Sequence, residues 1–181
     1  MMSEKKIRIL AISGSLRQTS SNTALIITIQ KMVPENTVYT IFNGLGKLPH
    51  FNDAEELSVE VVEWRRQLKE ANAVLICTPE YAFGVPGSLK NALDWTVSSG
   101  ELVGKPLALI TAATGGDKAH AAFLQIFTAL SANIPEGCAL LIPFVRTKLN
   151  AAGEITDAST NDLVKVLLRN LIKAGSTNTP L

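Results

Sequence analysis

Residues 7–22 read Ile7-Arg8-Ile9-Leu10-Ala11-Ile12-Ser13-Gly14-Ser15-Leu16-Arg17-Gln18-Thr19-Ser20-Ser21-Asn22. An apolar run breaks into a loop of glycine, hydroxyls and one arginine, and that loop opens a helix. A first strand feeding a polar turn at a helix N-terminus is a ready anion site, because free backbone N–H groups and the helix dipole both point outward there. The first turn of a helix usually collects Asp or Glu, yet no acid occurs between Lys5 and Pro34. A bound anion is expected to supply the missing charge. Ser13, Ser15, Thr19, Ser20, Ser21 and Asn22 offer short donors, and Arg17 is the only cation of the loop; a terminal phosphate suits that set. On the loop alone a plainer reading stands beside this one: Ser and Thr are ordinary N-caps, and Gly14 is an ordinary turn residue.

Outward from this unit, apolar runs recur at Ile7–Ser13, Thr37–Phe42, Ala73–Thr78, Pro106–Ala112 and Cys138–Ile142. They are continuous rather than alternating, as strands covered on both faces are. Between them lie helical patterns near Asn22–Met32, Val59–Ala71, Gly87–Ser98 and Lys118–Ser131, and a last helix over Asn161–Ala174 that stops at Gly175. Strict β-α alternation predicts a parallel sheet with helices on both faces. Five strands in so short a chain suit the flavodoxin-like order 2-1-3-4-5, whose ligand lies beyond the carboxyl ends of strands 1 and 3. Residues 1–181 are expected to form a single such domain, with Ser176–Leu181 as a loose tail.

The loop is not a P-loop, because two glycines with four residues between them, followed by Lys-Ser/Thr, are missing. It is not a dinucleotide fingerprint either. Leu16 stands where the second glycine would be, and the second strand ends Ile41-Phe42-Asn43 without a ribose-binding acid. A phosphoacceptor receiver needs an aspartate at a strand end, whereas strands 1 and 3 end in Ser13 and Thr78. A mononucleotide fits best.

Hydrophobic residues make up 46% of the chain and the mean hydropathy is positive, which describes a globular protein with a heavy core. No apolar stretch reaches the roughly 18 residues of a membrane span. The N-terminus carries no signal-peptide pattern, and Cys77 and Cys138 sit in apolar runs as reduced thiols would. A cytoplasmic location without membrane contact is therefore expected. The net charge of +1 without a basic cluster gives no reason to expect nucleic acid. His50 and His120 stand seventy positions apart and suggest no metal site; no G-x-S-x-G elbow is present. Trp64 and Trp95 have core-like helical spacing, and Glu63, Arg65, Arg66, Lys69 and Glu70 read as a solvated helix face.

The third strand runs into Thr78-Pro79-Glu80-Tyr81-Ala82-Phe83-Gly84-Val85-Pro86-Gly87-Ser88-Leu89-Lys90-Asn91-Ala92-Leu93-Asp94-Trp95. Pro79 ends the strand and Pro86 initiates the next helix, so the intervening loop can lay amides and an aromatic ring against a planar ligand. Read without further help, a plainer reading stands beside this one: an ordinary βα loop with a packed tyrosine. Gly14-Ser15-Leu16-Arg17-x-x-Ser20-x-Asn22, taken with Pro79-Glu80-Tyr81 and Pro86-Gly87-x-Leu89-Lys90-Asn91-Ala92-x-Asp94-Trp95, closely resembles the NADPH-dependent FMN reductase family, which includes quinone, azo-dye and chromate reductases.

The resemblance implies FMN as cofactor and NADPH or NADH as electron donor. It implies that Ser15, Arg17, Ser20 and Asn22 hold the FMN phosphate, with a donor added by Thr23. Pro79, Glu80, Tyr81 and Ala82 would line the isoalloxazine edge, and Thr114, Gly115 and Gly116 of the strand-4 loop would face its pyrimidine end. No side chain need act as acid or base, since the flavin carries the chemistry. Two departures touch the ring pocket: Ala82 stands where the family commonly has Asn, and the strand-4 loop is short. The implied activity is an NAD(P)H oxidoreductase passing hydride through FMN to a quinone-like or other small acceptor by a ping-pong mechanism. The alternative is a flavodoxin-type electron carrier, but such carriers are strongly acidic, and sixteen acids here face seventeen bases. The resemblance further implies a homodimer or dimer of dimers, with the apolar helix Leu89–Val97 at the boundary and Lys90 available to pair with Glu80. The loop is read as built for one terminal phosphate, with no second pocket for an adenosine half.

Overall fold

The computed structural model describes residues 6–53 and 55–178. The strands β1 (Ile7–Ser13), β2 (Thr37–Phe42), β3 (Ala73–Thr78), β4 (Leu107–Ala112) and β5 (Ala139–Ile142) alternate with the helices α1 (Ser21–Gln30), α2 (Val59–Glu70), α3 (Gly87–Asp94), α4 (Asp117–Ala129) and α5 (Ala158–Thr177). All strand pairs are parallel, in the order β2-β1-β3-β4-β5. That is the predicted flavodoxin-like topology.

Successive side chains of a strand point to opposite faces, and here both faces are covered. Leu10 and Ile12 of β1 enter a core with Val61, Trp64 and Leu68 of α2, Leu89 of α3 and Phe123 and Phe127 of α4. Ile9 and Ala11 enter the opposite core, with Leu25, Ile26 and Ile29 of α1 and Val164, Leu167 and Leu171 of α5. This explains why the central strands β3 and β4, buried at every position, read as unbroken apolar runs. β5 is an edge strand, buried only in part. Both tryptophans are packing residues: the Trp64 indole N–H donates to the Ala92 carbonyl at 2.9 Å and that of Trp95 to the Pro49 carbonyl at 2.9 Å.

Three features differ from the sequence reading. Gly175 does not end α5, which continues to Thr177; a Cβ at Gly175 would lie 3.2 Å from Ala73 Cβ and 3.3 Å from Ile7 Cγ2. The glycine permits close approach of helix to sheet. Nor is the segment after it wholly loose: the Asn178 carboxamide donates to the Asn72 carbonyl at 2.9 Å, and that of Asn72 to the Asn178 carbonyl at 2.8 Å. The remainder of the expected tail lies outside the described residues. Within the expected solvated face of α2, Arg66 does pair with Glu63 at 2.6 Å and Glu70 at 2.5 Å, but the Arg65 guanidinium turns to the Trp95 carbonyl at 2.7 Å and ties α2 to the end of α3.

Candidate active site

The loops at the carboxyl ends of β1, β3, β4 and β5 enclose a cleft of about 320 Å3, within the range of small-molecule sites, roughly 300–1,000 Å3. Gly14 begins the first wall, its N–H donating to the Cys77 carbonyl at 2.8 Å. Ser15 is buried, and its hydroxyl lies 3.3 Å from the Tyr81 hydroxyl, joining the first and third loops. Ser20 is the N-cap of α1, accepting from the Thr23 N–H. The first turn of α1 holds no acid, so the N–H groups of Ser21 and Asn22 face the cleft end without an intrahelical partner. Neither the Arg17 guanidinium nor that of Arg146 makes an ion pair or hydrogen bond among the described residues, and both line the cleft.

Of the residues expected from the sequence, Ser15, Arg17, Ser20, Asn22, Pro79, Glu80, Tyr81 and Thr114 line this cleft together. Several enter it differently than expected. The Asn22 side chain is buried and turned inward: its Nδ2 donates to the Ala112 carbonyl at 3.1 Å, and its Oδ1 accepts from the Cys77 thiol at 3.2 Å. Its backbone amide is what it can offer an anion. The Thr23 hydroxyl is 2.9 Å from that of Ser13, so Thr23 braces the loop and does not line the cleft. Burial pushes the Cys77 thiol well above its ordinary range, which keeps it a neutral donor to Asn22.

Glu80 also has an unexpected use. Its carboxylate accepts from the Gly116 N–H at 3.3 Å and the Ala119 N–H at 2.9 Å. Gly116, the N-cap of α4, has φ 108° and no capping side chain of its own; a carboxylate from the neighbouring loop does the work and complements the helix dipole. Gly115 and Gly116 consequently meet Glu80 rather than lining the cleft; Thr114 does line it, beside Ala112 and Ala113. Within the chain Lys90 pairs with Asp94 at 2.5 Å and not with Glu80. His120 sits one turn into α4 with Nδ1 2.9 Å from the Thr111 hydroxyl, and burial lowers its pKa.

Ala82 does not line the cleft either. It is exposed at the tip of a two-residue hairpin in which the Tyr81 N–H donates to the Gly84 carbonyl at 3.0 Å and the Gly84 N–H to the Tyr81 carbonyl at 2.9 Å. Ala82 and Phe83 have φ of 49° and 57°. Two consecutive positive φ values are the type I′ arrangement, which ordinarily takes Asn-Gly.

A fourth wall was missed in the sequence. Phe144, Val145, Arg146 and Thr147, after β5, line the cleft opposite α1. The Phe144 N–H donates to the Thr114 carbonyl at 3.1 Å and the Val145 N–H to the Ala113 carbonyl at 3.2 Å. Phe144 is left-handed, with φ 52°, and opens a short 3-10 turn over Val145–Thr147 in which Val145 is buried. In sequence, the fifth apolar run ends at Ile142, and Phe144-Val145 beyond Pro143 belongs to no motif. The signal that was available is topological: ligands in such sheets lie beyond the carboxyl ends of the strands, and Arg146 is the first cation beyond strand 5.

One expectation about space does not hold. An open hollow of about 720 Å3 adjoins the cleft, and the two share Arg17, Thr19, Ser20, Ser21 and Arg146. There is open space beyond the loop that follows β1.

Fold and cleft together define a mononucleotide-binding protein of the flavodoxin-like doubly wound class. The donor set suits FMN on the structure's own terms: an acid-free helix N-terminus and unpaired arginines at one end, and Pro79, Tyr81 and Phe144 at the other. The chain belongs to the NADPH-dependent FMN reductase family, whose model matches residues 7–147; it is an NAD(P)H-dependent oxidoreductase with FMN as its cofactor. It is 29% identical over 171 residues to the quinone reductase of Escherichia coli strain K12, covering 89% of this chain and 90% of that one. To the NADPH:quinone oxidoreductase of Arabidopsis thaliana it is 33% identical over 181 residues, covering 91% and 90%. Among solved structures it is similar to a flavoenzyme NAD(P)H:(acceptor) oxidoreductase from Paracoccus denitrificans, with a TM-score of 0.83 at 24% identity, covering 95% of this chain and 98% of that one. An archaeal flavodoxin shares the fold as well, at a TM-score of 0.61 and 14% identity. Fold alone therefore does not separate enzyme from carrier; family membership does. Among the described residues no helix is long and apolar enough to cross a membrane.

Proposed function

We propose that residues 1–181 form one FMN-binding unit of a cytoplasmic quinone-type reductase, with the flavin phosphate at the N-terminus of α1. The observation that carries this is the acid-free first turn of α1 opening onto a cleft beside the unpaired Arg17. Ser15, Arg17 and Ser20 serve the phosphate with side chains, Ser21 and Asn22 with backbone amides. Pro79, Tyr81 and Thr114 border the ring, while Glu80 keeps the third and fourth loops in register by capping α4. FMN, when bound, supplies the transfer of electrons from NAD(P)H to an acceptor. The protein orients and shields it: Tyr81 and Phe144 present an apolar lip, and no histidine or cysteine lines the cleft. A flat acceptor such as a quinone suits this lip, in keeping with the names of the relatives above.

The test is cofactor choice. Purified protein is expected to be yellow and to bind FMN far better than riboflavin. Arg17→Ala is expected to weaken FMN binding roughly ten- to a hundred-fold, the value of one charge-assisted phosphate contact, and Arg17→Lys to recover only part, because the fork geometry is lost. An unchanged dissociation constant in Arg17→Ala moves the phosphate elsewhere.

Kinetics test the shared cleft. With one ring edge bounded by the third and fourth loops, donor and acceptor are expected to use the same face in turn, giving parallel double-reciprocal plots and mutual inhibition at high concentration. Intersecting plots would rule this out and leave the FMN assignment standing.

We further propose self-association, as a dimer or dimer of dimers with the cleft near the boundary. The support is not the one the sequence suggested: Leu89, Ala92, Leu93 and Trp95 are buried within the protomer, and only Val97 of that stretch is exposed. The support is instead that, among the exposed apolar residues, Leu16, Phe51, Phe83 and Phe144 gather on loops at the carboxyl ends of the strands. Sedimentation at micromolar concentration should give a dimer or larger; a monomer would remove the interface.

A further inference from the structure

We infer that Arg146, on the turn after β5, is a second phosphate-reading residue: with Arg17 it forms a two-guanidinium clamp that selects a dianionic terminal phosphate. The inference rests on the FMN reading of the cleft proposed above, and extends it to a residue outside the motifs.

Three observations carry it. The Arg146 guanidinium has no ion pair and no hydrogen bond among the described residues, although it borders a cleft. Its position is fixed rather than incidental: Val145 beside it is buried, and the turn is tied to the fourth loop at Ala113 and Thr114 by two backbone hydrogen bonds. It lies at the phosphate end and not the ring end, because the cleft and the adjoining hollow meet at Arg17, Thr19, Ser20, Ser21 and Arg146 alone.

Two guanidiniums without a carboxylate partner and a helix N-terminus, all bordering one space, give it a positive potential that suits an anion. Among the described residues the only carboxylate bordering the cleft, that of Glu80, is engaged with the α4 amides on another wall. A terminal phosphate monoester carries about −1.5 to −2 at neutral pH, which matches two arginines better than one. Riboflavin offers no charge there. FAD offers its charges singly, on two phosphorus atoms, and would have to thread its adenylate past the clamp into the open hollow.

The test is a titration of the full-length, flavin-depleted chain with FMN, riboflavin and FAD, followed by quenching of flavin fluorescence, for the parent, Arg17→Ala, Arg146→Ala, Arg146→Lys and Arg146→Glu. Arg146→Ala is expected to raise the FMN dissociation constant roughly ten-fold or more with riboflavin unchanged, so that the ratio between the two collapses. Arg146→Lys should recover part of the ratio, and Arg146→Glu should bring FMN to the level of riboflavin or below. FMN affinity intact in Arg146→Ala but lost in Arg17→Ala would overturn the clamp and leave the FMN site standing. No loss in either variant would overturn both. Equal loss of FMN and riboflavin would overturn the clamp by showing that Arg146 supports the turn instead of reading charge. FAD bound as tightly as FMN would overturn the selection of a terminal phosphate.

Discussion

Gly14→Val is expected to lose both stability and cofactor. A Cβ at position 14 would stand 2.4 Å from Thr78 Oγ1, 2.8 Å from Thr78 Cβ and 2.9 Å from Leu89 Cδ2. Thr78 and Leu89 are fully buried, so neither can swing aside. The Gly14 N–H is also held to the Cys77 carbonyl, so the chain cannot retreat without breaking the last link between β1 and β3. Overpacking a tight core typically costs about 1–3 kcal/mol; three added carbons at a contact this close belong at the upper end. The phosphate loop begins at the next residue, and Ser15 is joined to Tyr81 across the same gap. Displacement there should weaken FMN binding at least roughly ten-fold, as loss of one charged contact would. Urea denaturation of the FMN-free chain reads the first effect and flavin titration the second. A variant with the parent's midpoint and affinity would mean that β1 and α3 separate freely, contrary to the packing described.

The reverse sign is expected for the double substitution Ala82→Asn with Phe83→Gly. A left-handed residue with a Cβ costs roughly 1–2 kcal/mol, and this hairpin holds two of them. Asn-Gly is the natural occupant of a type I′ turn, and the resemblance to the family already points to Asn at position 82. Phe83 is 82% exposed, so its removal sacrifices little burial, though Gly gains some unfolded-state entropy and returns part of the benefit. A net gain of about 1–2 kcal/mol corresponds to a rise in Tm of roughly 2–8 °C for a chain of this size. FMN affinity should not change, since neither residue lines the cleft. A fall in Tm would show that the Phe83 ring is held by something worth more than the strain, and self-association through this rim is the natural source; sedimentation of the variant would reveal it.

The strain at Ala82 and Phe83 is also where the sequence misleads most. Read as a motif position, Ala82 belongs to the ring pocket. In the folded chain the hairpin it caps turns away from the cleft, and what the turn supplies is the position of Tyr81. Likewise Gly115 and Gly116 look like free amides for a ligand, but one of the four residues expected along the ring edge, Glu80, takes the Gly116 amide for itself. The Asn22 carboxamide joins Cys77 and Ala112, which leaves its backbone amide to face the cleft. In each case the residue was legible and its partner was not, because a hydrogen-bonding group of a given type serves a ligand and a neighbouring loop equally well.

The sequence by itself determined the architecture and the kind of ligand. Period and length of the apolar runs set strands against helices, alternation made the sheet parallel, and an acid-free helix start after β1 announced an anion. These are local properties, written in consecutive residues. Which side chains from distant segments border one cleft was decided by the tertiary structure alone. Arg146 lies far from Arg17 in the chain, and no spacing rule links them. They come to one cleft because β5 sits at the sheet edge, three strands from β1, with its following turn folded back over the fourth loop by Phe144 in a conformation that its residue type disfavours.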